Sequence, residues 1–243
     1  MSDRDRGDPF RYCDGSQSLE GELFLPRSEA NGRAVLVIHE ADGIGGNVRR
    51  HCRNLANMGY VALAADMHGN GQPLEGDAMR RALDNFRSQP DLVRGRVKAG
   101  FDALLSAAGV HAAHSAALGF CFGGFAALEL ARSGAPLAAV ASFHGLLTTA
   151  RPAQAGGIKA RVAVFTGAKD PLVPPADVTA FQEEMIEAQA HWQLTSYGNA
   201  WHSFTNKDVE AMGDPRMAYD ADAHTLSWRA LIDFLDLSLT KSL

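Results

Sequence analysis

The chain has 243 residues, 46% of them hydrophobic, and its 23 basic and 28 acidic side chains give a net charge of −5. That composition suits one folded domain over residues 1–243, with 1–17 as a peripheral N-terminal segment, and offers no basic stripe for nucleic acid and no polybasic membrane anchor. A small-molecule partner is therefore expected, and a homodimer is compatible with the sequence although nothing in it argues for one. Met1 to Asp8 is charged and lacks the apolar centre of a signal peptide, and no apolar run is long enough to span a bilayer, so a cytoplasmic location is expected.

In chain order, Ser18 to Leu25, bordered by Gly and Pro, reads as an edge strand. Arg33 to His39 is a short apolar run suited to a strand buried on both faces, followed by a glycine-rich turn and an amphipathic helix from Asn47 to Met58. Tyr60 to Ala64 repeats the strand pattern, and Glu75 to Arg87 and Asp91 to Ala108 are helical. The strand Ser115 to Phe120 runs into an alanine-rich helix, Phe122 to Arg132. Leu137 to Phe143 and Arg161 to Gly167 are further strands; Pro175 to Ala190 is a helix, His191 to Tyr197 a strand and Asp222 to Leu237 a closing helix. This alternation predicts an α/β fold whose mostly parallel sheet is covered by helices on both faces.

The turn between Phe120 and Phe122 carries the strongest chemical signal. Gly119-Phe120-Cys121-Phe122-Gly123 has the spacing of the nucleophile elbow of α/β-hydrolases, with cysteine in place of serine. The helix beginning at Phe122 would present its positive end to the sulfur and favour thiolate. Asp170 and His202 follow two later strands, and the order nucleophile, acid, histidine is that of α/β-hydrolases. In such a set His202 takes the thiol proton, Asp170 fixes its tautomer, and the Phe122 N–H with a second donor, Ala41, receives the oxyanion. Read singly, Cys121 is a buried structural thiol, His202 a loop histidine, Asp170 a turn or cap residue and Glu40 an ordinary loop acid.

Gly119 to Gly124, Val37-Ile38-His39-Glu40 with Gly43, Ala65 to Gly69, Gly167 to Asp170 and His202-Ser203-Phe204 together resemble the dienelactone hydrolase family from about Gly21 to Leu235. The resemblance implies a Cys-His-Asp triad, with Glu40 beside the sulfur in a charge network that helps the thiol ionise. Family members that open dienelactones carry an arginine four residues after the histidine; here Asn206 stands there, and an amide cannot replace a guanidinium fork for an anion. Lys207 is expected to point elsewhere, and Arg80 and Arg81 are candidate charges near the mouth. Phe122, Phe143, Trp201 and Phe204 suggest a pocket for neutral aryl or alkyl esters, and sulfur's softness adds neutral phosphotriesters. His144 is expected either at that pocket or in a solvated loop. Two alternatives stand beside ester hydrolysis: enol-lactone hydrolysis, and a ligand-binding or redox-sensing homologue without turnover.

No cofactor or metal is expected. Gly43-Ile44-Gly45-Gly46 fails the dinucleotide fingerprint because its third glycine would fall at Val48, and the histidines lack ligand spacing. Cys13, Cys52 and Cys121 are an odd set without zinc spacing, so reduced thiols are expected, with Cys52 buried and inert.

Overall fold

The computed structural model describes residues 6–239, so the first five residues of the N-terminal segment lie outside it, as do 240–243. Eight strands form one sheet in the order β1-β2-β4-β3-β5-β6-β7-β8. They are β1 (Asp8–Asp14), β2 (Gln17–Phe24), β3 (Ala34–Ile38), β4 (Val61–Ala65), β5 (Ser115–Phe120), β6 (Ala139–Phe143), β7 (Arg161–Gly167) and β8 (Trp192–Tyr197). From β4 to β8 the neighbouring strands are parallel, while β1 and β2 join antiparallel at one side. The strands β3 to β6 are short and entirely buried, as the unbroken Val, Leu and Ala runs require when both sheet faces are covered.

Two corrections concern the N-terminal region. The strand expected at the edge, Ser18 to Leu25, is the second strand; the edge is β1, inside the segment read as peripheral. The alternating exposure of β1 explains the difference, because an edge strand with one wet face has no continuous apolar run.

Among the described residues there are six α-helices, α1 (Gly46–Asn57), α2 (Gly76–Ser88), α3 (Pro90–Ala108), α4 (Phe122–Arg132), α5 (Pro175–Glu187) and α6 (Ala221–Ser238), with α2 packed on α3. Alternation within β3 separates the two core layers. Leu36 and Ile38 pack with Phe101, Leu128 and Phe181, whereas Val35 and Val37 pack with Leu55, Phe234 and Leu235 on the opposite face. Each such fully buried large side chain contributes roughly 1.5–3 kcal/mol of hydrophobic stabilisation. Cys52 lies in the second layer, fully buried, and burial holds its thiol well above the usual range.

The helix α4 is buried along its whole length and is anchored by charge. Glu129 pairs with Arg94 and Arg132, and Arg132 also pairs with Glu184 of α5 and donates to the Leu147 carbonyl. A network satisfied on all sides avoids the large cost of a lone buried charge, and it ties the base of α4 to its neighbours. Among the described residues, no helix is long and apolar enough to cross a membrane.

The strand order positions the site. Sequence runs from β3 to β4 on one side and then to β5 on the other, so a crevice opens beyond the carboxyl ends of β3 and β5, where the chain order reverses. The segment after β3 carries Glu40 and Ala41; the residue after β5 is Cys121.

Candidate active site

Cys121 joins β5 to α4 with φ 53° and ψ −118°, a conformation that side chains other than glycine seldom adopt. Its surroundings hold it there. A Cβ on Gly119 would lie 2.0 Å from the Gly123 carbonyl oxygen, so the strand must leave through glycine for the helix to start so close. The Cys121 N–H donates to the Phe143 carbonyl at 3.0 Å and to Nδ1 of His144 at 3.1 Å, which fixes the turn to the end of β6.

The sulfur lies 3.1 Å from Nε2 of His202, and Nδ1 of His202 lies 2.8 Å from Oδ2 of Asp170. Asp170 Oδ1 accepts from the Leu172 N–H at 2.8 Å, so both carboxylate oxygens are engaged. His202 and Asp170 are buried, while Cys121 is partly open. Burial opposes the charged imidazole, but the Cys121 sulfur and Asp170 outweigh it and raise the His202 pKa to about 10. A charged imidazolium is the state of His202 that this environment favours.

Neither the Ala41 nor the Phe122 N–H has a protein acceptor among the described residues; as the first residue of α4, Phe122 has no intrahelical partner for its N–H. Both residues line a cavity of about 500 Å³ that also includes Cys121 and His202. Most of its wall is apolar and was not read from the sequence: Met79 and Leu83 of α2, Leu146 and Leu172 from loops after β6 and β7, and Met212 and Met217 from the segment after His202. The spacing of Met79 and Leu83 by four residues was the available signal, an apolar row on an otherwise polar helix.

Several residues expected at the pocket lie elsewhere. Phe143 is fully buried between Phe120 and Phe165, with centroids 5.1 and 4.8 Å away. Phe204 is fully buried against Tyr197 and His144. Trp201 is 38% exposed but does not line the cavity. His144 is fully buried behind the elbow: its Nδ1 accepts from Cys121, so Nε2 carries the proton and donates to Thr205 Oγ1 at 2.8 Å. Phe143, Phe204 and His144 turn into the core although their backbone lies at the carboxyl edge, whereas Trp201 turns outward.

Asn206 is also buried and serves Glu40 rather than the cavity. Its Nδ2 donates to Glu40 Oε1 at 3.1 Å, Asn47 donates to the same oxygen at 3.3 Å, and no hydrogen bond joins Glu40 to Cys121. Lys207 is exposed. Burial, with a smaller contribution from Asp42, raises the Glu40 pKa to about 7 against the pull of the two amides. Because the folded value exceeds the unfolded one, Glu40 leaves stability unaffected at low pH and lowers it as pH rises from about 4.5 to 7. Glu40→Gln is expected to be more stable than wild type at pH 8, by on the order of 3 kcal/mol, with the difference narrowing toward pH 5. Urea unfolding of both proteins at the two pH values checks this; an equal difference at both would refute it.

Charge at the mouth is largely neutralised. Arg216 pairs with Asp214, whose carboxyl it holds down to about 2, and Arg80 pairs with Asp77. Arg87 also borders the cavity and has no carboxylate partner among the described residues, whereas Arg81 does not line it. No group of three or more His, Cys, Asp or Glu suited to a metal ion occurs among the described residues.

A protein-family model, that of the dienelactone hydrolase family, matches residues 19–239. A solved dienelactone hydrolase-like promiscuous phosphotriesterase from metagenomic libraries is 36% identical, covers 95% of this chain and 97% of its own, and superposes with a TM-score of 0.88. A putative carboxymethylenebutenolidase from Synechocystis is 26% identical over 231 residues, 88% of this chain and 90% of that protein. A probable 2-oxo-3-(5-oxofuran-2-ylidene)propanoate lactonase from Bradyrhizobium is 29% identical over 195 residues, 74% of this chain and 77% of that protein.

Proposed function

Since the chain belongs to the dienelactone hydrolase family and is a hydrolase, we propose that it cleaves neutral aryl and alkyl esters through Cys121, His202 and Asp170. The observation that carries this reading is the continuous contact from Asp170 through His202 to the sulfur, ending in an apolar cavity. Cys121 thiolate attacks the ester carbonyl, and the N–H groups of Phe122 and Ala41 receive the negative charge that develops on oxygen. The tetrahedral intermediate collapses, the C–O bond breaks, and His202 gives its proton to the leaving alcohol or phenol. Water then attacks the thioester with His202 as base, and acid and free thiol leave. Asp170 keeps the imidazole oriented in both halves.

Neutral substrates fit because Arg80 and Arg216 are paired and Asn206 is occupied with Glu40. Neutral phosphotriesters are a second class for the same nucleophile, and the phosphotriesterase relative supports including them. Enol-lactone hydrolysis is a further reading, favoured by Arg87, a cation at the rim with no carboxylate partner among the described residues.

Steady-state phenolate release from p-nitrophenyl acetate and from a neutral p-nitrophenyl phosphotriester, normalised by active-site titration, tests the proposal. Repeated turnover of the acetate is expected, with slower turnover of the phosphotriester. If the acetate turns over and the phosphotriester releases nothing, the second class is removed. A single stoichiometric burst on both would overturn hydrolytic turnover and favour a sensing or adduct-forming role for Cys121.

A further inference from the structure

Two histidines outside the Cys121–His202–Asp170 line grip the peptide groups on either side of Ala41. His39, the residue after β3, has Nδ1 2.5 Å from the Glu40 carbonyl oxygen, and its Nε2 accepts from the Met67 N–H at 3.2 Å. The second contact fixes the tautomer: Nδ1 carries the proton and donates to Glu40. That carbonyl belongs to the same peptide group as the Ala41 N–H. His68, from the loop after β4, has Nε2 2.8 Å from the Ala41 carbonyl oxygen, which only accepts, so this proton sits on Nε2.

The same rings pack on the residue that supplies the other candidate donor. His68 stacks on Phe122 with an interplanar angle of 14° and centroids 6.2 Å apart, and His39 lies 6.2 Å from that ring. His39 and His68 are themselves 4.8 Å apart. The Nδ1 of His68 is buried without a partner, so the Ala41 carbonyl alone anchors the polar edge of this ring.

We propose that His39 and His68 are positioning residues for ester hydrolysis, holding the Ala41 N–H where negative charge develops on the substrate oxygen. The proposal rests on the reading of Cys121 as the nucleophile. His39 has a second effect: a hydrogen bond to the carbonyl of a peptide group polarises that group and makes its N–H a better donor. Burial keeps both rings neutral, lowering the His39 pKa to about 3, with the neighbouring His68 contributing, and lowering that of His68 as well. The donor tautomers therefore persist at neutral pH.

Kinetics of His68→Ala and His68→Gln on p-nitrophenyl acetate, beside alkylation of Cys121 by iodoacetamide, test this. Alkylation needs a reactive thiolate but no oxyanion donor. His68→Ala is expected to lose roughly ten- to a hundredfold in kcat, with KM and the alkylation rate within about twofold of wild type. His68→Gln, whose amide can donate from a similar reach, is expected to recover most of that loss. His39→Asn, which keeps a donor at the place of Nδ1, is expected to retain more kcat than His39→Leu. An undiminished kcat in His68→Ala overturns the proposal, as does a parallel fall in alkylation, which would mean collapse of the whole site. Wild type with no Cys121-dependent turnover would overturn the underlying reading too, and this control separates that failure from failure of the histidines alone.

Discussion

Cys121→Ala is expected to lower kcat for p-nitrophenyl acetate by about 10⁴-fold while folding and melting like wild type. Alanine keeps the Cβ, so the φ of 53° remains as strained as before and the variant isolates the sulfur from the backbone. What disappears is the atom that forms the covalent bond, together with its 3.1 Å contact to His202. The oxyanion donors and the cavity remain, and they sustain a residue of catalysis well above the uncatalysed rate. A second consequence follows from charge. Cys121 is among the groups that raise the His202 pKa to about 10, so the histidine should titrate lower in the variant. Turnover normalised to protein, with an NMR titration of the His202 imidazole, measures both effects. Retention of more than about a tenth of kcat would show that another group attacks the ester.

The parts of this molecule that were legible in the sequence are those where local pattern and tertiary environment coincide. Ser115–Phe120, Phe122–Arg132 and Arg161–Gly167 were read with the boundaries they have in the fold, because strands buried on both faces and helices behind glycine turns leave continuous apolar signals. Chain order brought Cys121, Asp170 and His202 forward for a related reason: in a parallel sheet, residues just beyond the strands share one edge.

Less legible were features set by side-chain direction and by contacts distant in sequence. Phe143 stands at the correct edge but turns into the core, and nothing local to Ala139–Phe143 says which face it takes at the last position. Asn206 reaches Glu40 across 166 residues of sequence, a pairing that neither neighbourhood announces. The apolar wall formed by Met79, Leu83, Met212 and Met217 comes from a helix and a loop brought over the sulfur only by folding. The His39 and His68 contacts share this character: each imidazole acts on backbone, and a backbone acceptor leaves no trace in composition.

The close approach of α4 to β3 makes Gly123→Ala the most informative single methyl. Its Cβ would lie 2.2 Å from the Ile38 carbonyl oxygen and 2.6 Å from that of His39, both backbone atoms. Neither side can yield easily. The strand β3 is paired along its length with β4 and with β5, and every residue of α4 is buried. The variant is therefore expected to lose roughly 3 kcal/mol of stability, lowering the melting temperature by about 6–12 °C. Its activity should also fall at least tenfold, because relief of the clash separates the Phe122 N–H at the start of α4 from the Ala41 N–H beyond β3. Gly198→Ala serves as the control: its Cβ meets no atom within 4 Å, so its melting temperature and turnover should stay close to wild type. A Gly123→Ala protein melting within about 2 °C of wild type would mean that α4 and β3 part without cost. The strand-to-helix contact would then hold neither the fold nor the two donors together, and the oxyanion site would need some other support.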